Sequence, residues 1–475
     1  MKPISLGALK ILPLTYLTLV AAIPDPQNIT IEEDYHERDV ITRDVCIIGG
    51  GSAGTYSAIR LLELGQTVIV IEKESLMGGH TNTFTVRSSG LKIDYGVVVF
   101  HNNSVVQDYF SHFKIPLAYA DFGTPNTTAN VDFRTGQIVA GFVSENSTLA
   151  LEAWVVQLQK YPFLAAGFNL PDPVPEDLLL SFNDFVQKYN LDGMVQLISQ
   201  LDQGYADLLN RPTLYAMKSL GLDLVRTVQN GYITTARHDN YEIYDAATIE
   251  LSAAKSLLLS SYVISVDRNY DGKGSAKIVA QTPTGKKLIK ARKIVVAIPP
   301  RTSSFKGWDL DNQEKDVFGT YRNEAYYTCL LTNTGIPDSF AVNNIGANTS
   351  FNLPALPGIY GIRPTAQPGL IDVKYGSPFE QDDTTVKKNI VAALGRLNIT
   401  GVTTTPEKAT FAAFNAHVPF FEHVTSDQIK EGFYKRATGL QGYRGVWYTG
   451  AAWETHDSSQ IWNFTEILLP EIVKA

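Results

Sequence analysis

The chain has 475 residues, of which 44% are hydrophobic and 19% charged, a mix that supports packed cores and excludes intrinsic disorder. That length is more than one ordinary core fills and fits two or three domains. A formal net charge of −8 argues against a nucleic-acid partner, which needs clustered Lys and Arg.

The chain opens on a leader pattern. Met1, Lys2 and Lys10 supply positive charge, an apolar run extends from Ile11 to Ala22, and Val20 and Ala22 precede Ile23-Pro24. This layout predicts a signal peptide over residues 1–22 and a secretory route, ending outside the cell or in a luminal organelle. The run is shorter than the ~20 residues that cross a bilayer, and no longer one follows, so no stable membrane span is expected. Asn-x-Ser/Thr acceptors at Asn28, Asn102, Asn126, Asn146, Asn348, Asn398 and Asn463 fit a glycoprotein on that route.

Asp44 to Ile48 is a short apolar run of the kind that forms a buried parallel strand. It carries Cys46, which is read as a buried thiol; Cys329 is the other cysteine. The run enters Gly49-Gly50-Gly51-Ser52-Ala53-Gly54, followed by helical apolar spacing through Tyr56, Ala58, Ile59, Leu61, Leu62 and Leu64 that Gly65 closes. Thr67 to Ile71 is a second buried strand, with Glu72 at its end. Strand, glycine turn, helix, strand and acid together make a dinucleotide-binding unit. Gly49 allows the tight turn, Gly51 lets the backbone approach a pyrophosphate, and Gly54 lets the helix pack close to the strand. The helix N-terminus, at Ser52 and Ala53, offers free N–H groups and a partial positive charge to phosphates. The Glu72 carboxylate can accept both ribose hydroxyls and would repel a 2′-phosphate.

Beyond Glu72 the chain reads Lys73-Glu74-Ser75-Leu76-Met77-Gly78-Gly79-His80-Thr81-Asn82-Thr83. This resembles the second flavin-binding segment of the flavin amine oxidase and carotenoid desaturase superfamily. Ile93-Asp94-Tyr95-Gly96 resembles that family's Asp-x-Gly turn, and Tyr262 to Arg268 its Val-x-x-Ile-x-Arg strand. A hairpin is expected through Lys277 to Ala280 and Lys286 to Ile289. Ala291 to Pro300 then matches the strand that ends the second part of the cofactor domain, and Gly445 to Ala452 looks like the family's last strand. The resemblance implies FAD as the cofactor and an α/β fold: a Rossmann-type FAD-binding domain, glutathione-reductase-like, with an inserted substrate domain of mixed sheet and helices. FAD-binding parts are expected over 42–104, 241–300 and 436–475, a helical insertion over 105–240, and a substrate domain over 301–435. It further implies that Gly79 and His80 lie along the pyrophosphate and ribityl chain, Val263 at the adenine side, and Gly450 near the flavin.

Within the insertions, apolar spacing predicts helices at Leu149 to Tyr161, Leu178 to Tyr189, Asp192 to Leu201, Pro212 to Arg226 and Thr385 to Leu397. Strands are expected at Tyr326 to Thr332 and Gly369 to Tyr375.

The leader, the Gly-Gly-His-Thr-Asn-Thr segment and the ending Tyr448-Thr449-Gly450-Ala451-Ala452-Trp453 are similar to those of the fungal beta-cyclopiazonate dehydrogenase group. That similarity implies hydride transfer from a substrate C–H to flavin N5, on a small alkaloid or terpenoid intermediate of secondary metabolism, with O₂ or another acceptor reoxidising the flavin. The alternatives are an oxidase of small amines or amino acids, and a flavin-binding protein without turnover. An amino-acid oxidase needs an arginine for the carboxylate, for which Arg322 and Arg363 are candidates. Many amine oxidases place a lysine at the flavin, yet Tyr321 to Tyr327 contains none, which leaves Lys374 as a distant candidate. His80, Trp453 and His456 are the catalytic-site candidates, with Trp453 as one wall of an aromatic cage. His101 is expected at the surface, and no metal site is expected.

Overall fold

In the computed structural model, described over residues 35–123, 125–144, 147–268 and 276–475, the first strand, β1, spans Val40–Ile48. Helix α1 spans Ser52–Glu63 and strand β2 spans Val68–Ile71. The run Val45 to Ile48 and all of β2 are buried, as strands covered on both faces must be. β1 pairs in parallel with β2 on one side and with the long strand Gly285–Val296 on the other. Leu257–Leu258 extends the parallel array beyond β2, and Val446–Tyr448 extends it beyond Gly285–Val296. Tyr262–Asp267 and Ala276–Thr282 form an antiparallel meander with the first half of Gly285–Val296. This is the expected Rossmann-type sheet with one revision. The hairpin arm at Lys286 to Ile289 and the strand from Ala291 are a single strand, which leaves the sheet after Val296.

A second sheet runs in the order Thr410–His423, Arg322–Thr332, Leu370–Ser377, Gly358–Pro364, Phe340–Asn344, Thr127–Asp132, Gln137–Ile138. Helix Asp383–Arg396 buries Val386, Ile390 and Leu394 against it in a core separate from that of the cofactor sheet. The helices of the first insertion, among them Ser147–Leu158, Phe182–Tyr189, Asp192–Leu201, Thr213–Ser219 and Leu222–Asn230, instead join the core of the cofactor sheet. The helix expected from Pro212 to Arg226 is two, because Gly221 is extended and starts the second.

The C-terminal helix Ser458–Lys474 lies along α1, with Trp462 fully buried between Tyr56 and Phe100. Both cysteines are buried and free. The predicted signal peptide, Asn28 and Asn146 fall outside the described residues.

Candidate active site

The glycine turn after β1 is shaped by contacts that only glycine satisfies. Gly49 has φ +101°, and a Cβ on Gly54 would meet the Gly49 carbonyl oxygen at 1.8 Å. Gly54 therefore sets how closely α1 approaches the turn. Gly51 packs against the backbone of Gly79, whose own Cβ would lie 3.0 Å from the Gly51 Cα. Two stretches of bare backbone thus run side by side next to the start of α1, where no side chain caps the helix. An uncapped helix N-terminus beside a glycine trench fits a pyrophosphate.

Glu72 is 8% exposed at the end of β2. One carboxylate oxygen accepts the Gly50 N–H at 2.6 Å and the other the Glu74 N–H at 2.8 Å. A carboxylate has about four acceptor positions, so a lone pair on each oxygen is left for a ribose hydroxyl. The Glu72 carbonyl accepts from Ser261 N, which ties the strand carrying Val263 to this end of the site. Gly450, with φ +108°, faces Ala53 of α1, and Ser52 Oγ bonds Ser458 Oγ at 2.9 Å. The structure thereby brings Gly49, Gly51, Ser52, Ala53, Gly54, Glu72, Gly79 and Gly450 together around the start of α1, while Val263 stands two residues beyond the Ser261 that is tied to Glu72.

A column of rings continues from the trench into the substrate sheet. His80 stacks on His417 with centroids 4.0 Å apart and planes 9° from parallel. His417 is followed by Phe420 at 6.1 Å, and Phe420 by His456 at 4.0 Å. Tyr326 lies 5.1 Å from Phe420, and its hydroxyl donates to Gln203 of the helical insertion. Gly204 has no Cβ because the Phe420 ring stands 2.2 Å from where one would be. His80 keeps much of its surface open, while His417 stacked against it is 4% exposed. Burial, then His456 and Lys73, hold its pKa down to about 3. Burial, with His80 next, holds His417 well below the ordinary histidine value.

Beneath the rings lies a polar net. Asn415 Nδ2 donates to Asn82 Oδ1 at 2.6 Å and to the Tyr95 hydroxyl at 2.8 Å. Lys374 donates to the Tyr95 carbonyl and pairs with Asp372 at 2.9 Å, so the candidate lysine is present beside the Asp-x-Gly turn. Burial raises the Asp94 carboxyl to about 7, against the opposing bonds from Thr83 and the Asn240 N–H.

Three expectations change. Trp453 is 5% exposed and stacks on Tyr448 at 5.0 Å, so it packs in the core and walls no cage. His101 is 1% exposed, not a surface residue, with Nδ1 2.6 Å from Asp223 and Nε2 3.3 Å from Asp457. Arg322 is exposed, and Arg363 donates to the Val342 carbonyl and Asn343; neither is seen to touch the ring column.

Sequence reading missed His417, Asn82 and Asn415, and it missed Lys218. The Lys218 ammonium pairs with Glu454, both 1% exposed, and donates to the Leu164 carbonyl at 3.0 Å. Burial pulls Lys218 below its ordinary pKa and pushes Glu454 above its own. Among the described residues, no His, Cys, Asp and Glu cluster is suited to a metal, and no helix is long and apolar enough to cross a membrane.

The family model for flavin containing amine oxidoreductases matches residues 53–318. The FAD-dependent oxidoreductase oblC of Cochliobolus heterostrophus is 38% identical over 454 residues, 92% of this chain and 93% of its own. Beta-cyclopiazonate dehydrogenase of Aspergillus oryzae is 30% identical over 453 residues, 92% of this chain and 94% of its own. Among solved structures, a CLA-producing fatty acid isomerase from P. acnes shares the fold with a TM-score of 0.72 at 16% identity, covering 90% of this chain and 98% of that one. Putrescine oxidase does so with a TM-score of 0.65 at 14% identity, covering 92% of this chain and 100% of that one. The chain belongs to the flavin-containing amine oxidoreductase family and is an FAD-dependent oxidoreductase.

Proposed function

We propose that the protein oxidises a small alkaloid or terpenoid intermediate of a secondary-metabolite pathway by hydride transfer from a substrate C–H to the bound flavin. The observation that carries this reading is the ring column of His80, His417, Phe420 and His456. It leads from the cofactor trench into the substrate sheet and offers flat ring surfaces, with His80 and His417 held neutral. Such a lining suits a conjugated or polycyclic molecule. The names of relatives support the same reading, since beta-cyclopiazonate dehydrogenase is among them.

Bound FAD supplies the electron acceptor. Gly51, Gly79 and the start of α1 would hold its pyrophosphate, and Glu72 its ribose. Phe420 and Tyr326 would position the substrate carbon and exclude water. An amino-acid substrate is disfavoured, because among the described residues no arginine is seen to reach the ring column to hold its carboxylate. Incubation with a panel of indole alkaloids, terpenoids and simple amines, read by mass spectrometry, tests the assignment. A product two hydrogens lighter from the first two classes is expected, and turnover of simple amines alone would overturn it.

We further propose that the chain enters the secretory pathway through residues 1–22. The exposed Asn126, Asn348 and Asn398 support this, being accessible acceptors on the folded surface. Glycosidase treatment of the protein expressed in a fungal host should lower its mass, and an unchanged mass with an intact leader would contradict the proposal.

A further inference from the structure

Two imidazoles from distant parts of the chain meet between the flavin-binding loop and the substrate sheet. His80 directly follows Gly79, and His417 stands on the strand Thr410–His423. His417 Nε2 lies 3.5 Å from Asn82 Oδ1, the oxygen that also accepts from Asn415. An amide carbonyl only accepts, so the proton of a neutral His417 belongs on Nε2. The lone pair on Nδ1 is then bare, and no hydrogen bond occupies that atom among the described residues. The 3.5 Å contact favours that tautomer, and what it leaves open is a proton acceptor.

Burial first, and then the groups around the pair, disfavour its protonation in the resting protein. His80 feels His456 and Lys73, and His417 feels His80, Lys374 and His456, while burial opposes protonation of both. Lys374 is itself paired with Asp372, and Tyr326, 5.8 Å from His417, brings no charge. Any negative charge that arrives in the cleft reverses this balance, because it attracts a proton to the nearest bare imidazole nitrogen.

We propose that His417, braced by the stacked ring of His80, takes and holds the proton that the substrate loses on oxidation. The proposal rests on the hydride-transfer reading above. In a substrate H–C–X–H, where X is oxygen or nitrogen, the carbon's hydrogen leaves with its electron pair to the flavin. The hydrogen on X leaves as a proton to Nδ1 of His417, and a C=X double bond forms. Reduction brings negative charge to the site, and the imidazolium balances it until reoxidation. Asn82 is a positioning residue in this scheme, since it acts by orienting the imidazole.

The test needs no substrate. If His417 holds a proton whenever the flavin is reduced, chemical reduction must load the same proton. Titration of the holoprotein with dithionite and mediator dyes at several pH values around neutrality counts protons taken up per electron pair. Two are expected for the wild type and one for His417→Asn, with His417→Gln as a second variant and the flavin absorbance confirming that both bind FAD. Nitrogen-15 spectra of the histidines should show His417 as the neutral Nε2–H tautomer when oxidised and doubly protonated when reduced. Equal proton counts in wild type and variants, or a neutral His417 in the reduced protein, would overturn the proposal. A difference in proton count with no metabolite oxidised would sustain the proton-holding role and sink the substrate assignment instead.

Discussion

Glu72 shows how far a single residue can be read from sequence. Its place at the end of the second strand, with a glycine turn upstream, points to a ribose contact, and the structure puts its carboxylate against the turn's Gly50 N–H and the Glu74 N–H downstream. Replacing it with glutamine removes the charge and turns one acceptor into a donor facing the Gly50 or Glu74 N–H. Hydrogen bonds to charged groups contribute about 1.5–3 kcal/mol, so Glu72→Gln should weaken FAD binding roughly 10- to 100-fold in a fluorescence titration of the apoprotein. Unchanged affinity would remove Glu72 from the site. His417 shows the opposite limit. It belongs to no local motif, and Pro419 two residues on argues against a strand there. Only the pairing of Thr410–His423 with Arg322–Thr332 carries it to His80. Trp453 failed for a similar reason: its place near Gly450 suggested the cleft, but its ring turns back onto Tyr448.

Elements were legible where periodicity was strong and contacts were local. Asp192–Leu201 matches its expected helix, and β1, α1 and β2 lie within a few residues of theirs. The helix Ser458–Lys474 has no counterpart among the expected elements, although its N-terminus sits against α1 and its N-cap Asp457 faces His101. His101 joins this helix to Leu222–Asn230, since Asp457 and Asp223 flank it. Burial opposes its charge, but the two carboxylates outweigh burial and raise its pKa to about 10. The folded-state value lies above the unfolded one, so the contribution to stability is full below about pH 6.5 and is lost as pH rises through about 10. Denaturant melts of wild type and His101→Gln should therefore differ most at the acid side of that window and converge toward its alkaline end. A gap that stays constant across the window would show that the imidazolium does not link these elements.

At the scale of the whole molecule, the second sheet was the least legible part. Its strands Thr127–Asp132 and Phe340–Asn344 come from different insertions and pair in parallel, a long-range match that local sequence does not encode. The candidate site depends on such joints: the Lys218–Glu454 pair fastens the helical insertion to the turn after Gly450, and Gly204 admits Phe420 beneath the same insertion. The glycine turn, Glu72 and the Gly79 loop are thus written in one contiguous stretch, while the ring column is assembled from segments that meet only in the folded chain. That division explains why FAD was evident early and the ring column was not. We propose that this cleft delivers a metabolite's electrons to FAD. The most direct test is the flavin absorbance of the purified holoprotein, recorded without oxygen as indole alkaloids, terpenoids and simple amines are added in turn. Bleaching by an alkaloid or terpenoid is expected; a flavin that dithionite reduces but no member of those two classes does would overturn the proposed function.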